Sequence, residues 1–150
     1  MIRLALALSI IAAPAMANPI SGQAEVIDGD TIKIEGRSLR LSGIDAPELK
    51  QSLGDWSKTR LQDIIRGREV VCSWDELGVY GRPIALCVPV LASGRISTVS
   101  INRTMVRVGA AYASPYNYDF ERQQSLAMRA CVGLWAGDRL PWCYRKGLRK

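Results

Sequence analysis

Asp30, Arg40, Asp45 and Glu48 lie within one stretch of 19 residues, and Arg82 follows later in "VYGRP". Two hard carboxylates a strand apart, with a backbone carbonyl, make a site for an oxygen-loving cation such as Ca²⁺ or Mg²⁺. Two arginines can grip phosphate oxygens bidentately and neutralise charge developing on a pentacovalent phosphorus. A third carboxylate, beside the metal rather than on it, can orient or deprotonate a water for in-line attack. Those are the requirements of phosphodiester hydrolysis, and none calls for a histidine. The chain has no histidine, which excludes His-based triads, His metal ligands and His general bases. Taken singly, Arg40 or Arg82 would pass for an ordinary solvated cation. The grouping is what points to chemistry.

The flanking patterns say how these residues are held. In "AEVIDGDTIKI" the runs 23–27 and 31–35 alternate as strands, and Asp28-Gly29 between them reads as a hairpin turn. Asp30 follows that turn and opens the second strand. Gly36-Arg37 leads into a third strand over 38–44, which carries Arg40 and delivers Asp45 and Glu48 in "GIDAPE". Pro47 blocks a helix there and forces a sharp turn. A helix is predicted over 55–67, capped by Asp55, striped with Leu61, Ile64 and Ile65, and ended by Gly67. Strands four and five fall at 68–74 and 82–90; Pro83 and Pro89 confine the fifth to an edge or to positions without a donor. Pro83 also holds Arg82 extended. A short helix runs from a Ser100 cap to Gly109. A third spans 119–135, with Ala127, Ala130, Cys131 and Leu134 on one face. With few crossovers, the fold class is α+β, mainly β: a five-stranded OB-fold barrel with three helices.

Residues 1–17, "MIRLALALSIIAAPAMA", have a basic start, an apolar stretch and a small-x-small site, the anatomy of a signal peptide. The apolar run is shorter than the roughly 20 residues of a spanning helix. The expectation is export, to the periplasm or outside the cell, with no membrane attachment after cleavage. Residues 18–150 then form one domain, with a core over 23–135 and a basic tail over 136–150. The formal net charge of +6 suits a polyanion partner. The tail "WCYRKGLRK" could hold nucleic acid electrostatically, but the reading preferred for it is a solvated, partly frayed terminus. An even count of four cysteines in an exported chain reads as two disulfides, and local pairing gives Cys72–Cys87 and Cys131–Cys143. No C-x-x-C spacing supports zinc instead.

The segments "VIDGDTIKI", "LRLSGIDAPE", "VYGRPIAL" and "GLW" resemble, in order and spacing, the staphylococcal nuclease (thermonuclease) family, over about residues 23–135. The resemblance implies an OB barrel and a metal-dependent nuclease, endo- or exonucleolytic, that hydrolyses DNA and RNA with little sequence specificity. Ca²⁺ is the implied cofactor, with Mg²⁺ or Mn²⁺ acceptable to the same donors. Asp30 and Asp45 match the family's calcium-binding aspartates, Arg40 and Arg82 its catalytic arginines, and Glu48 its proposed general base. Ala46 stands where the family has a threonine that lends calcium its backbone carbonyl, a ligand that survives the change. The segment between Glu48 and the first helix is shorter than in the best-known member. Val79 replaces a lysine that touches the terminal phosphate, so only the Tyr80 contact is implied. Among Tyr112, Tyr116 and Tyr118, Tyr116 is the candidate to stack a base, with packing as the alternative role. A monomer is expected. The competing reading is a catalytically inactive nucleic-acid-binding OB module; three clustered acids that repel phosphate argue against it.

Overall fold

Ile32, Ile34, Leu39 and Leu41 alternate with polar neighbours, and the period of two sends all four inward from adjacent strands, each at most 1% exposed. The computed structural model describes residues 18–116, 118–137 and 140–145. The export signal read over 1–17 and the last five residues of the basic tail lie outside the described residues.

Strands β1 (Asn18–Val26), β2 (Thr31–Ile34) and β3 (Arg37–Leu41) form an antiparallel meander. A two-residue strand, β4 (Ile44–Asp45), follows it; β5 (Glu69–Leu77) and β6 (Pro83–Pro89) come later in the chain. The barrel closes in the order β1-β2-β3-β6-β5. β1 serves two partners: Asn18 to Gln23 pair with β5, and Ala24 to Val26 pair with β2. This doubling, by a strand that starts five residues before the predicted 23, is what closes the sheet.

Two expectations change here and one is narrowed. The predicted strand over 38–44 is two: Ser42-Gly43 turns the chain, Gly43 at φ 71°, and β4 leaves the barrel to pair with β7 (Tyr112–Ala113). Of the two placements left open for β6 the edge is excluded, because it pairs in parallel with β3 and antiparallel with β5. Its prolines are tolerated as its first and last residues, where a missing donor costs least. Asp28-Gly29 is not a two-residue hairpin, since Val26 pairs with Ile32 across a five-residue connection closed by Ile27 N–H to Thr31 O at 3.0 Å.

Helix α1 (Gly54–Ile65) lays Leu61 and Ile65 into the core, with Ile64 packed at its edge. Asp55 lies in its first turn but is not the cap; Leu53, in the left-handed conformation, holds that position without a side-chain bond. Arg66 and Gly67, both at positive φ, end it as expected. α2 (Ile101–Arg107) begins at Ser100, whose hydroxyl accepts from Arg103 N–H at 3.1 Å. α3 (Glu121–Ala130) stops short of its predicted end at 135. Cys131 turns left-handed, Ala130 is exposed, and Leu134 reaches the interior from a separate turn, Gly133–Trp135. Two constraints force that break: Leu134 N–H bonds Gly109 O at 2.8 Å, and Cys131 is bridged to Cys143 on the unanticipated helix α4 (Pro141–Arg145). Both expected disulfides are present. Cys72–Cys87 joins directly paired positions of β5 and β6.

Candidate active site

Asp30 sits where the β1–β2 connection enters β2, and its position is fixed by four separate contacts. Its backbone N–H donates to Asp28 Oδ1 at 3.0 Å, so Asp28 shapes the turn through its side chain. Its carboxylate accepts from Thr31 Oγ1 at 3.2 Å, from Arg40 Nη1 at 2.8 Å and from Ala46 N–H at 2.9 Å. Gly29 has no need of positive φ. A Cβ there would stand 2.6 Å from Ala46 Cβ and 2.9 Å from Ser57 Cβ. Glycine lets the turn press against α1 and the start of the β4 loop, and that contact brings Asp30 to Ala46.

Arg40 lies opposite Thr31 on β3 and points outward with it. Its second nitrogen, Nη2, reaches Asp45 Oδ1 at 2.7 Å, so one guanidinium links the two aspartates. The two ends differ in environment. Asp30's side chain is 7% exposed and Asp45's 64%. Burial drives the Asp30 carboxyl up to about 6, against the opposing pull of the Ala46 N–H and the Arg40 charge; Asp28 adds a smaller upward push. Asp30 is a desolvated carboxylate whose charge Arg40 only partly balances.

The donors are all oxygen, as a hard divalent cation prefers. Asp30 Oδ2 takes one hydrogen bond, and Asp45 Oδ2 takes none from the described residues, so both retain acceptor capacity. Among the described residues no group of three or more acids or cysteines converges. A cation here would therefore complete its shell with backbone and water oxygens. The donor set and the under-compensated Asp30 fit such an ion.

The remaining expected residues surround this cluster without joining it. Glu48 is exposed on the loop after β4, its N–H held by Gln51 Oε1 at 2.9 Å, and its carboxylate has no partner among the described residues. Arg82 is half-buried just before β6, in extended conformation. Ile84 pairs with Arg40, and period two puts Arg82 on the same outward face. Tyr80 is fully exposed on the preceding turn at φ 62°. A cleft of about 800 Å³ opens beside Arg40 and Asp45, with Trp74, Ile84, Leu86 and Tyr116 among its walls. Tyr112 does not face it as a free ring; it packs edge-on against Trp135, centroids 5.4 Å apart. The Tyr118 side chain lies outside the described residues.

Two supports escaped the sequence reading. Ser57 is wholly buried and donates to Ala110 O at 2.7 Å while abutting Gly29. Asn102, also wholly buried, accepts from Cys87 N–H and donates to Ser42 O and Ala85 O at 2.9–3.1 Å, tying the turn after β3 to β6. A polar residue on an otherwise apolar helix face was the available signal for each.

The fold is a closed five-stranded barrel of the OB class that gathers two aspartates and an arginine at one strand end. The family described as staphylococcal nuclease homologue matches residues 38–137. Over 91% of its length the chain is 31% identical to a micrococcal nuclease of Shigella flexneri, 86% of which is covered. It is 33% identical over 93% of its length to an uncharacterized endonuclease of Escherichia coli O157:H7, 94% of which is covered. It is also 30% identical over 95% of its length to protein ParB of Escherichia coli, covering 88% of that protein. The chain belongs to the staphylococcal nuclease family and is a hydrolase of the nuclease class. The matched span begins at Ser38, so Asp30 precedes it, and the hydrogen bonds from Arg40 and Ala46 are what join Asp30 to the site.

Proposed function

We propose that the protein is an exported, divalent-cation-dependent nuclease that hydrolyses phosphodiester bonds of both DNA and RNA, with Ca²⁺ the favoured ion and Mg²⁺ or Mn²⁺ as substitutes. The observation that carries this reading is the Arg40 bridge between Asp30 and Asp45, at 2.8 and 2.7 Å. Asp30, Asp45 and the Ala46 carbonyl would hold the cation, which supplies Lewis-acid polarisation of a phosphoryl oxygen and of water.

Arg40 lies within reach of both the aspartates and the open cleft. On substrate binding its guanidinium turns its donors to the scissile phosphate, opposing the charge that builds on the equatorial oxygens. Arg82, on the same face of the sheet, supplies the second cation. Glu48 orients the attacking water or accepts its proton; its exposed loop position leaves a water room to approach. Tyr116, an exposed ring on the wall of the cleft, offers a face on which any base can stack, which favours indifference to sequence and sugar. Two disulfides support residence in an oxidising compartment, periplasmic or extracellular.

The test incubates purified protein, Arg40→Ala and Glu48→Ala with single-stranded DNA and RNA in Ca²⁺, Mg²⁺, Mn²⁺ or chelator. Wild type should cut both polymers only with a divalent ion, and each variant should lose on the order of 10²-fold or more in rate. Cleavage that persists in chelator would refute the metal reading. Full activity of Glu48→Ala would refute its assigned role.

A further inference from the structure

A second cleft, of about 840 Å³, lies between α1, α2 and the segment after β6, and shares no lining residue with the cleft beside Arg40. Its charge is the reverse of the first. Arg60, Arg66, Arg68 and Arg107 line it against a single acid, Asp63. The cleft beside the aspartates has Arg40 against Asp45, Asp75 and Glu76. With no divalent ion bound, the lining of the active-site cleft offers a long polyanion less attraction than the arginines of the second cleft do.

The second cleft also offers more than charge. The Arg60 guanidinium lies over the Trp56 ring, 5.4 Å from its centroid, and its outer face is a planar surface on which a base can stack. Leu91 and Val99, 39% and 46% exposed, form an apolar side. Among the described residues Arg66 bonds only through Nε, to Asp63 O at 3.0 Å, so its two terminal nitrogens keep their donors. Arg107 makes no hydrogen bond or ion pair with the described residues, and both arginines are exposed. Arg68 is committed to the C-terminal carbonyls of α1.

We infer that this cleft is a second binding site for single-stranded nucleic acid, in which Arg66 and Arg107 hold phosphates and the Arg60–Trp56 pair stacks a base. The inference rests on the nuclease reading above and adds to it where the strand is gripped away from the cut. Trp56 and Ser57 are neighbours in α1. The helix therefore touches both sites, with Trp56 in this cleft and Ser57 against the turn that presents Asp30. A strand of many nucleotides occupies both and gains by avidity, whereas a dinucleotide occupies one.

The test is binding of a fluorescein-labelled single-stranded DNA of about 20 nucleotides, by anisotropy in chelator, where no cleavage is needed. The decisive variant is Arg66→Gln/Arg107→Gln, set against a charge-matched Lys33→Gln/Arg122→Gln control, neither residue of which lines either cleft. Loss of two phosphate contacts should lower the slope of log K against log salt by about 1.4 and weaken binding about 20-fold at 0.1 M salt, the control changing far less. In Ca²⁺, the ratio of cleavage efficiencies on that strand and on a dinucleotide should fall with it. Equal losses in the two double variants would mean that net charge alone matters, and would overturn the site. Unchanged affinity in the cleft variant would overturn it too, as would binding to phosphatidylglycerol vesicles with none to the strand. Thermal unfolding of both variants guards against misfolding, and a single Arg107→Gln, at an exposed position, gives the same comparison if the double variant is unstable. The anisotropy result stands even if the wild-type protein cuts nothing, so failure of the cleft and failure of the nuclease reading are separate outcomes.

Discussion

Asp30 makes the stability of the divalent-free protein depend on pH in the sense opposite to most native carboxylates. Burial carries its carboxyl from the ordinary 3.8 to about 6. The folded state therefore keeps this proton to higher pH than the unfolded chain does. Stability from this group is full below the unfolded value and is lost as pH rises, the loss being complete once pH passes about 6. Between about pH 4.5 and about pH 7.5 the linkage relation gives a loss on the order of 2 kcal/mol. The side chain is only 7% exposed, so solvent screening removes little of that. The measurement is urea unfolding of wild type and Asp30→Asn in divalent-free buffer at the two pH values. The difference between the proteins isolates this carboxylate from every other titrating group. Wild type should lose about 2 kcal/mol more than the variant on going to the higher pH, and millimolar Ca²⁺ should restore the loss only in wild type. Equal pH profiles in the two proteins, or a wild type that gains stability relative to the variant, would refute the account of Asp30 as a desolvated, under-compensated acid.

Other outcomes follow from the supports of the site. Gly29→Ala should cost about 1–3 kcal/mol by overpacking against Ala46 and Ser57, and terbium luminescence should report weakened ion binding as Asp30 is displaced. Asn102→Ala should cost about 2–3 kcal/mol in urea unfolding, because Cys87 N–H loses its acceptor in the interior. Asn102→Asp, which keeps that acceptor but sets a carboxylate against Ser42 O and Ala85 O, should be no better. Replacing Cys131 and Cys143 together by alanine should lower stability by about 3 kcal/mol, from the entropy of the loop they close, while cleavage of DNA at 25 °C stays near wild type. Thiol titration of the native protein should find no free cysteine.

Much of this protein was legible in its sequence because the signals are local. Alternation marked the first two barrel strands, Ser100 and Gly109 bracketed α2, and the even count of cysteines with local pairing gave both disulfides. Where prediction slipped, a distant contact had overruled a local pattern. The apolar spacing of Ala127, Ala130, Cys131 and Leu134 asks for a helix to 135, yet the bridge to Cys143 and the bond from Leu134 to Gly109 end it at Ala130. The run 38–44 reads as one strand, yet pairing with Tyr112–Ala113 draws its end out of the barrel.

The site divides the same way. The sequence by itself determined its chemical inventory: which acids and arginines are present, that no histidine competes with them, and that a turn offers Asp30 at a strand end. Only the tertiary structure decided that Arg40 links Asp30 to Asp45, that Gly29 is glycine for closeness rather than for its turn, and that a second cleft gathers arginines from α1, the turn after it and α2. Most of those contacts join residues distant in the chain: Asp30 is 10 residues from Arg40 and 16 from Ala46, and Gly29 meets Ser57 of α1. Residue type sets what a side chain can do, and packing sets what it does it to.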